Sequence, residues 1–428
     1  MNILDQYANG VITALGFFWN ALWAFVLGYA ISAAIQVFVP KSRLVQHMGD
    51  GNFTSISLAG IFGALSSSCS FAALSAARSL FQKGAHFIAT VAFMFASTNL
   101  VIELGVLIFL FLGWQFLVAE IIGGIIMILI SAILIRITYP SRLIRTARDH
   151  ADETSGADDD EFDWKKRMTS VEGWQKVGNR FVMEWQMVWR EILIGFTVAG
   201  FIAAFVPDNV WQTLFLATGE TQSGAELPFL RVLENALIAP FVAAATFIGS
   251  MGNIPLATVL SAGGVSFAGI MGFIYSDLMV PPLVKVNANY YGWKTALYIA
   301  GIMYISIVIT ALMLHYAFAA IDQVPESSRD IAEISAFAIN YTFFLNLAAF
   351  VLAGVLVWLR SGAGKSTAHD HGSHEPGHGH GHGHDHNHDH THEHDHNKGG
   401  LLSPKNVLVG AVFVMLAGGL FVQLATLA

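Results

Sequence analysis

Long apolar runs with almost no charge recur along this chain, and they limit its fold more than any other feature. The clearest are VITALGFFWNALWAFVLGYAISAAIQVFV (11–39), FLVAEIIGGIIMILISAILI (116–135), ALYIAGIMYISIVITALML (296–314), FAINYTFFLNLAAFVLAGVLVWL (337–359) and VLVGAVFVMLAGGLFVQLATLA (407–428). Each is close to or above the roughly 20 residues with which an α-helix crosses a bilayer core. Barrel strands would be short and alternate in polarity, so the runs predict an all-α, polytopic helical membrane protein. Only 12% of residues are charged and 54% are apolar, at a mean hydropathy of +0.57. Soluble domains carry roughly a quarter charged residues. The opening MNILDQYANG has no basic leader or small-residue cleavage site, so the first span is read as retained. These features place the chain in the inner or plasma membrane as a multi-pass protein whose first partner is the lipid bilayer.

The main hydrophilic break, YPSRLIRTARDHADETSGADDDEFDWKKRMTSVEGWQKVGNR (139–180), keeps bases such as Arg142, Arg145, Lys176 and Arg180 near the flanking spans. The positive-inside rule therefore puts it in the cytoplasm. It divides the chain into a first half (1–138), a cytoplasmic loop (139–181) and a second half (182–318). An additional span (319–360), a His-rich disordered loop (361–402) and a C-terminal span (403–428) follow. The two halves look related. Setting KGAHFIATVAFMFAST (83–98) over GGVSFAGIMGFIYSDL (263–278) pairs Gly84 with Gly264, Phe87 with Phe267 and Phe93 with Phe273. Upstream of each block lies a stretch rich in small and polar residues, GALSSSCSFAALSAA (63–77) and FIGSMGNIPLATVLSAGG (247–264). Such interruptions free backbone groups that lipid cannot satisfy, and paired interruptions in two halves point to a transport site near the midplane. Close helix packing through small residues is the other reading of the same stretches.

SSSCSFAALSAARSLFQKGAHFIATVAFMFASTNLVIEL (66–104) and GNIPLATVLSAGGVSFAGIMGFIYSDLMVPPLVKV (252–286) resemble the two signature blocks of a bacterial predicted-permease family. That family includes organoarsenical efflux permeases and proposed copper/zinc efflux permeases. The resemblance, over most of residues 11–317, implies an inner-membrane permease of about eight to ten spans with a duplicated core. Its arsenical-exporting members carry a cysteine motif in the first block. Here Cys69, between Ser68 and Ser70, is the single thiol of the chain, and one thiolate is a weak chelator for trivalent arsenic.

Candidate cavity residues follow from the interruptions. Cys69 reads as a soft-cation ligand or as a small buried filler. Ser97, Asn99 and Glu103 follow the first aligned block, and Asn99 and Glu103, four apart, share one face if the helix continues. Glu103 reads as an intramembrane carboxylate at a cavity or as the end of a helix at the interface. Asp277 precedes Pro281 and Pro282, which end or kink a helix and free carbonyls. Lys285 is its possible charge partner. Asn253 is a ligand or a helix cap. Glu120, Arg190, Glu191, Arg231 and Glu234 are expected at span ends, as are Trp23, Trp114, Trp211 and Trp293. His86 and His315 read as structural.

The remaining motif is HDHGSHEPGHGHGHGHDHNHDHTHEHDHN (369–397). It carries His369, His371, His374, His378, His380, His382, His384, His386, His388, His390, His392, His394 and His396. Flexibly linked neutral imidazoles form a labile chelator for Zn, Cu, Ni or Co, while nothing requires a resident cofactor. Together these features predict a permease, not an enzyme, that exports a metal or metalloid by alternating access. A permease for an organic solute with a regulatory His-rich loop and a membrane-anchored metal sensor are the competing readings. No basic patch with interleaved aromatics suggests nucleic acid. The absence of a phosphate-binding glycine loop leaves an ion gradient or an accessory subunit as the energy source, and an oligomer is possible.

Overall fold

The computed structural model describes residues 3–38, 48–66, 70–138, 140–152, 168–215, 227–325, 331–366 and 404–427, and these are helical between short breaks. In the first half α1 (Ile3–Phe38) is followed by α2 (Phe53–Ser66), α3 (Ser70–Gln82), α4 (Phe87–Asn99), α5 (Ile102–Phe111) and α6 (Trp114–Thr138). The hydrophilic segment then contains α7 (Ser141–Asp152) and the start of α8 (Val171–Phe205). The second half continues with α9 (Asp208–Leu214), α10 (Phe229–Thr246), α11 (Ser250–Ala262), α12 (Phe267–Ile274), α13 (Pro281–Tyr291) and α14 (Trp293–Ala320). The short α15 (Ile331–Ile334), α16 (Tyr341–Ser366) and α17 (Pro404–Leu427) complete the chain. Among the described residues six helices are long and apolar enough to cross a membrane, and seven if α4 and α5, bent by 41°, count as one span. Several apolar stretches are instead half-length pieces, because the polar interruptions reverse or bend the chain within the protein.

The repeat extends to local detail. α3 and α11 both end in a tight reversal at a glycine of positive φ, Gly84 at +101° and Gly264 at +85°. In each, two hydrogen bonds close the turn: Gly84 N–H to Phe81 O (3.1 Å) and Ala85 N–H to Leu80 O (3.0 Å), matched by Gly264 to Ser261 (3.0 Å) and Val265 to Leu260 (3.1 Å). An L side chain in that conformation would clash with its own carbonyl, which is why both positions are glycine. A polar cap then starts the next helix: His86 Nδ1 accepts from Ile88 N–H at 3.2 Å, and Ser266 Oγ from Gly269 N–H at 3.2 Å. Further on, Gly113 and Gly292, again at positive φ, each precede a tryptophan that opens a long span, Trp114 and Trp293. Both tryptophans are half-exposed, as expected at a membrane rim. Trp211 departs from that expectation: it is buried against Gly263, where a Cβ would come within 2.7 Å of its ring.

The two copies run in opposite senses. α1 and α8 pack antiparallel, with Phe38 on Trp174 at one end (5.4 Å), Phe25 on Phe196 in the middle (5.8 Å) and Tyr7 on Phe201 at the other (5.8 Å). α7 holds the α3–α4 turn to the face of the hydrophilic segment, since Arg148 donates to Phe81 O (3.2 Å) and Ala85 O (3.0 Å). The α11–α12 turn lies at the opposite end of α8. There Gly263 meets Trp211 of α9, and Asn235 accepts from Ser266 N–H at 3.0 Å while donating to Phe215 O at 2.6 Å. Hence α2 enters from one face, ending at Ser66, and α3 starts at Ser70 and returns to that face. α10 and α11 enter from the other and turn back at Phe247–Gly249. α3 packs on α13 and α11 on α5, so each returning half-helix rests on the partner half.

Candidate functional site

The two reversals meet. Ser70 opens α3 and Ser250 opens α11, and the register that pairs Gly84 with Gly264 pairs these two serines as well. Their hydroxyl oxygens are 3.1 Å apart. Both donate to Asp277 Oδ2, Ser70 at 3.0 Å and Ser250 at 2.6 Å, and Leu278 N–H donates to Oδ1 at 2.7 Å. Asp277 is fully buried in a 3₁₀ turn, Asp277–Met279. Pro281 and Pro282, the first residues of α13, keep that turn from running on as α-helix, because neither has an N–H to give. Two helix N-termini beside a carboxylate are an electrostatically favourable arrangement, since their free N–H groups and dipoles favour negative charge.

A cavity of about 20 Å³ adjoins this node, lined by Ser70, Ser250, Thr98, Val188, Glu191 and Met251 among others, with room for about one water. Glu191 reaches it because residue 249 is glycine: a Cβ there would fall 2.9 Å from Glu191 Oε2. A wider cavity of about 160 Å³ lies toward the face of the hydrophilic segment. Gln36, Ser66, Ser79, Lys83 and Arg180 form its polar wall, and Phe62 and Phe93 its apolar one. Behind that wall Glu184 is buried, ion-paired with Arg180 Nε at 3.3 Å and accepting from Ser32 Oγ at 3.4 Å and from the Gln36 amide. Glu103 lies within electrostatic range of Glu184 and sits in a notch at Gly28, where a Cβ would come within 2.0 Å of Glu103 Cγ. Ser66 faces the wide cavity and Ser70 the narrow one; Cys69, between them in sequence, lies outside the described residues.

The sequence-based candidates fall into different places. Asp277 is at the node, and Glu103 is buried at 1% exposure in the first turn of α5. Lys285 is exposed while Asp277 is buried, so the two do not pair. Asn99 and Glu103 do not share a helical face, because the helix stops between them. Ser97 and Thr98 bond back to Met94 O (3.2 and 3.1 Å) and Asn99 to Phe95 O (3.1 Å), which competes with the ladder, and Val101 is extended. Asn253 is engaged within its own break, donating to Ile248 O at 3.3 Å and accepting from Thr246 Oγ1 at 3.3 Å. The histidines from His369 to His396 lie outside the described residues. Among the described residues no group of three or more His, Cys, Asp or Glu is placed to hold a metal ion. The node offers hydroxyl and carboxylate oxygens, a hard donor set.

Composition and periodicity passed over Ser70 and Ser250, although the Gly84–Gly264 register, extended fourteen residues upstream, pairs them. They also passed over Glu184, Glu191 and Glu120. Glu120, expected at a span end, is 1% exposed inside α6.

A family described as predicted permease matches residues 8–316. A Mycobacterium tuberculosis protein, Rv2963, whose name proposes a permease and gives no substrate, is 38% identical over 330 residues, covering 74% of this chain and 79% of that protein. No solved structure matches.

Proposed function

This chain belongs to the predicted-permease family and is a multi-pass permease of the cell membrane, and from that premise we propose that it acts as a transporter, not an enzyme, and moves a metal or metalloid species by alternating access around Ser70, Ser250 and Asp277. One observation carries the proposal: the first residues of two oppositely oriented reversals bond to a single buried carboxylate. Rocking one half against the other would break those bonds and open the node to one face at a time. Cys69, the chain's single thiol and the residue before Ser70 in sequence, is read as the soft donor for such a species. Export is the direction we assign, from the likeness of residues 66–104 and 252–286 to efflux permeases. The histidine tract 369–397 is read as a labile metal buffer feeding the carrier.

The experiment is flux into proteoliposomes across a panel of Zn²⁺, Cu⁺, Ni²⁺, Co²⁺ and trivalent arsenic, with Asp277→Asn as the inactive comparison. At least one species should move in the wild type and be slowed tenfold or more in the variant. Absence of flux across the panel would overturn the metal reading. A second reading, transport of an organic solute, is favoured by the wide cavity, where Phe62 and Phe93 face Arg180 and Lys83 in a space suited to an amphipathic anion. Competition of such anions for flux, with no metal moved, would establish it instead.

A further inference from the structure

Two buried carboxylates sit near one another across the junction of the halves, and their surroundings are opposite. Asp277 accepts three hydrogen bonds. Glu120, at 1% exposure, has neither carboxyl oxygen hydrogen-bonded. An ionised carboxylate stripped of water and given no donor is costly by several kcal/mol, so burial of this kind selects the neutral acid. Two acids whose environments differ in this way divide a proton between them, the undonated one holding it.

The position of Glu120 is fixed from the second half. Tyr275, two residues before Asp277, donates its hydroxyl to Ala119 O at 2.9 Å and Glu120 O at 3.2 Å. The ring fits because residue 123 is glycine, whose Cβ would fall 2.3 Å from Tyr275 Oη. Among the described residues, Asp277 and the Tyr275 phenol are the titratable groups within electrostatic range of Glu120. Of the other elements packed on α6, α4 and α12 carry no ionisable side chain. α5 carries Glu103, which packs against Gly28 of α1. α14 carries the buried His315, next to the Leu314 that meets Gly123, with neither ring nitrogen hydrogen-bonded.

We propose that Glu120 is the proton-carrying carboxylate of this permease: it holds a proton while the halves are closed on Asp277 and gives it up to water when the node opens. The step is a simple transfer, with the carboxylic O–H breaking and the proton passing to solvent. It rests on the reading of Ser70, Ser250 and Asp277 as the transport node.

Two measurements test it. Infrared difference spectroscopy of the purified full-length protein at neutral pH should show the C=O stretch of a protonated carboxylic acid. Glu120→Gln should remove one component of that band, while Asp277→Asn shifts that component and leaves it present; a band unchanged in Glu120→Gln overturns the proposal. In proteoliposomes with Zn²⁺ as the probe, Glu120→Gln should still equilibrate Zn²⁺ down its own gradient. It should lose at least tenfold of the accumulation driven by an imposed pH gradient, and accumulation equal to wild type overturns the proposal. Wild-type vesicles that move no Zn²⁺ would count against Zn²⁺ as substrate, and the infrared band then decides on Glu120 by itself.

Discussion

At the scale of single residues, the node owes its properties to short bonds on one buried acid. Ser250→Ala removes a charge-assisted bond of 2.6 Å, of a kind worth roughly 1.5–3 kcal/mol, without adding bulk. Flux is expected to fall about tenfold or more, with folding, read by size-exclusion elution, preserved; Ser70→Ala should do the same at the other hairpin. A different residue carries a pH effect on stability. His86, in the α3–α4 turn outside the spans, accepts the Ile88 N–H only as the neutral imidazole. Burial first, then the charges of Arg148 and Arg136, hold its pKa below the ordinary 6.5. Its folded value is thus depressed, so the stabilisation is complete above about pH 6.5 and fades as pH falls through the lowered value. The thermal midpoint in detergent should drop in that window by an amount matching a cap of about 1 kcal/mol, and His86→Asn, a cap that does not titrate there, should flatten the drop. Of the site, Asp277 and Glu103 were legible as carboxylates inside apolar sequence. Glu120 was not, since a lone Glu near a span's start reads as interfacial until its depth is known.

At the scale of elements, small residues set how closely helices approach. Gly200 of α8 lies on α1, where a Cβ would fall 2.6 Å from Gly10 O and Ala14 N. Gly200→Ala must push backbone from backbone, and a loss of about 1–3 kcal/mol is expected in the thermal midpoint. Gly301 of α14 has nothing within 4 Å of its missing Cβ, so Gly301→Ala should be neutral or slightly stabilising, by up to ~1 kcal/mol. That pair separates packing from helix propensity. The interrupted segments were readable as breaks because Gly, Pro, Asn and Ser cluster there. The bend at Leu100–Val101 was not: nothing in TNLVIE resembles a helix terminator, and only the back-bonding of Ser97, Thr98 and Asn99 to the preceding turn explains it.

At the scale of the molecule, the inverted repeat makes a claim that labelling can check. In a Cys69→Ser background, Lys83→Cys in the α3–α4 turn and Ala262→Cys before the α11–α12 turn should react with a membrane-impermeant maleimide from opposite faces. Labelling of both from the same face would remove the inversion, and with it the rocking mechanism. The amino-acid sequence alone determined that this is a helical membrane protein and that its apolar runs are interrupted by polar, break-prone segments, and it pointed to two related halves. Those properties follow from hydropathy and local backbone preference, which act within a few residues of each other. Only the tertiary structure decided that the halves are inverted, that Ser70 and Ser250 meet on Asp277, and that Glu120 is buried within electrostatic range of Asp277. Such juxtapositions bring together residues up to 207 positions apart, as Ser70 and Asp277 are, and no local preference encodes them. They arise from packing, where glycines at Gly28, Gly123 and Gly249 leave the space that neighbouring polar side chains occupy.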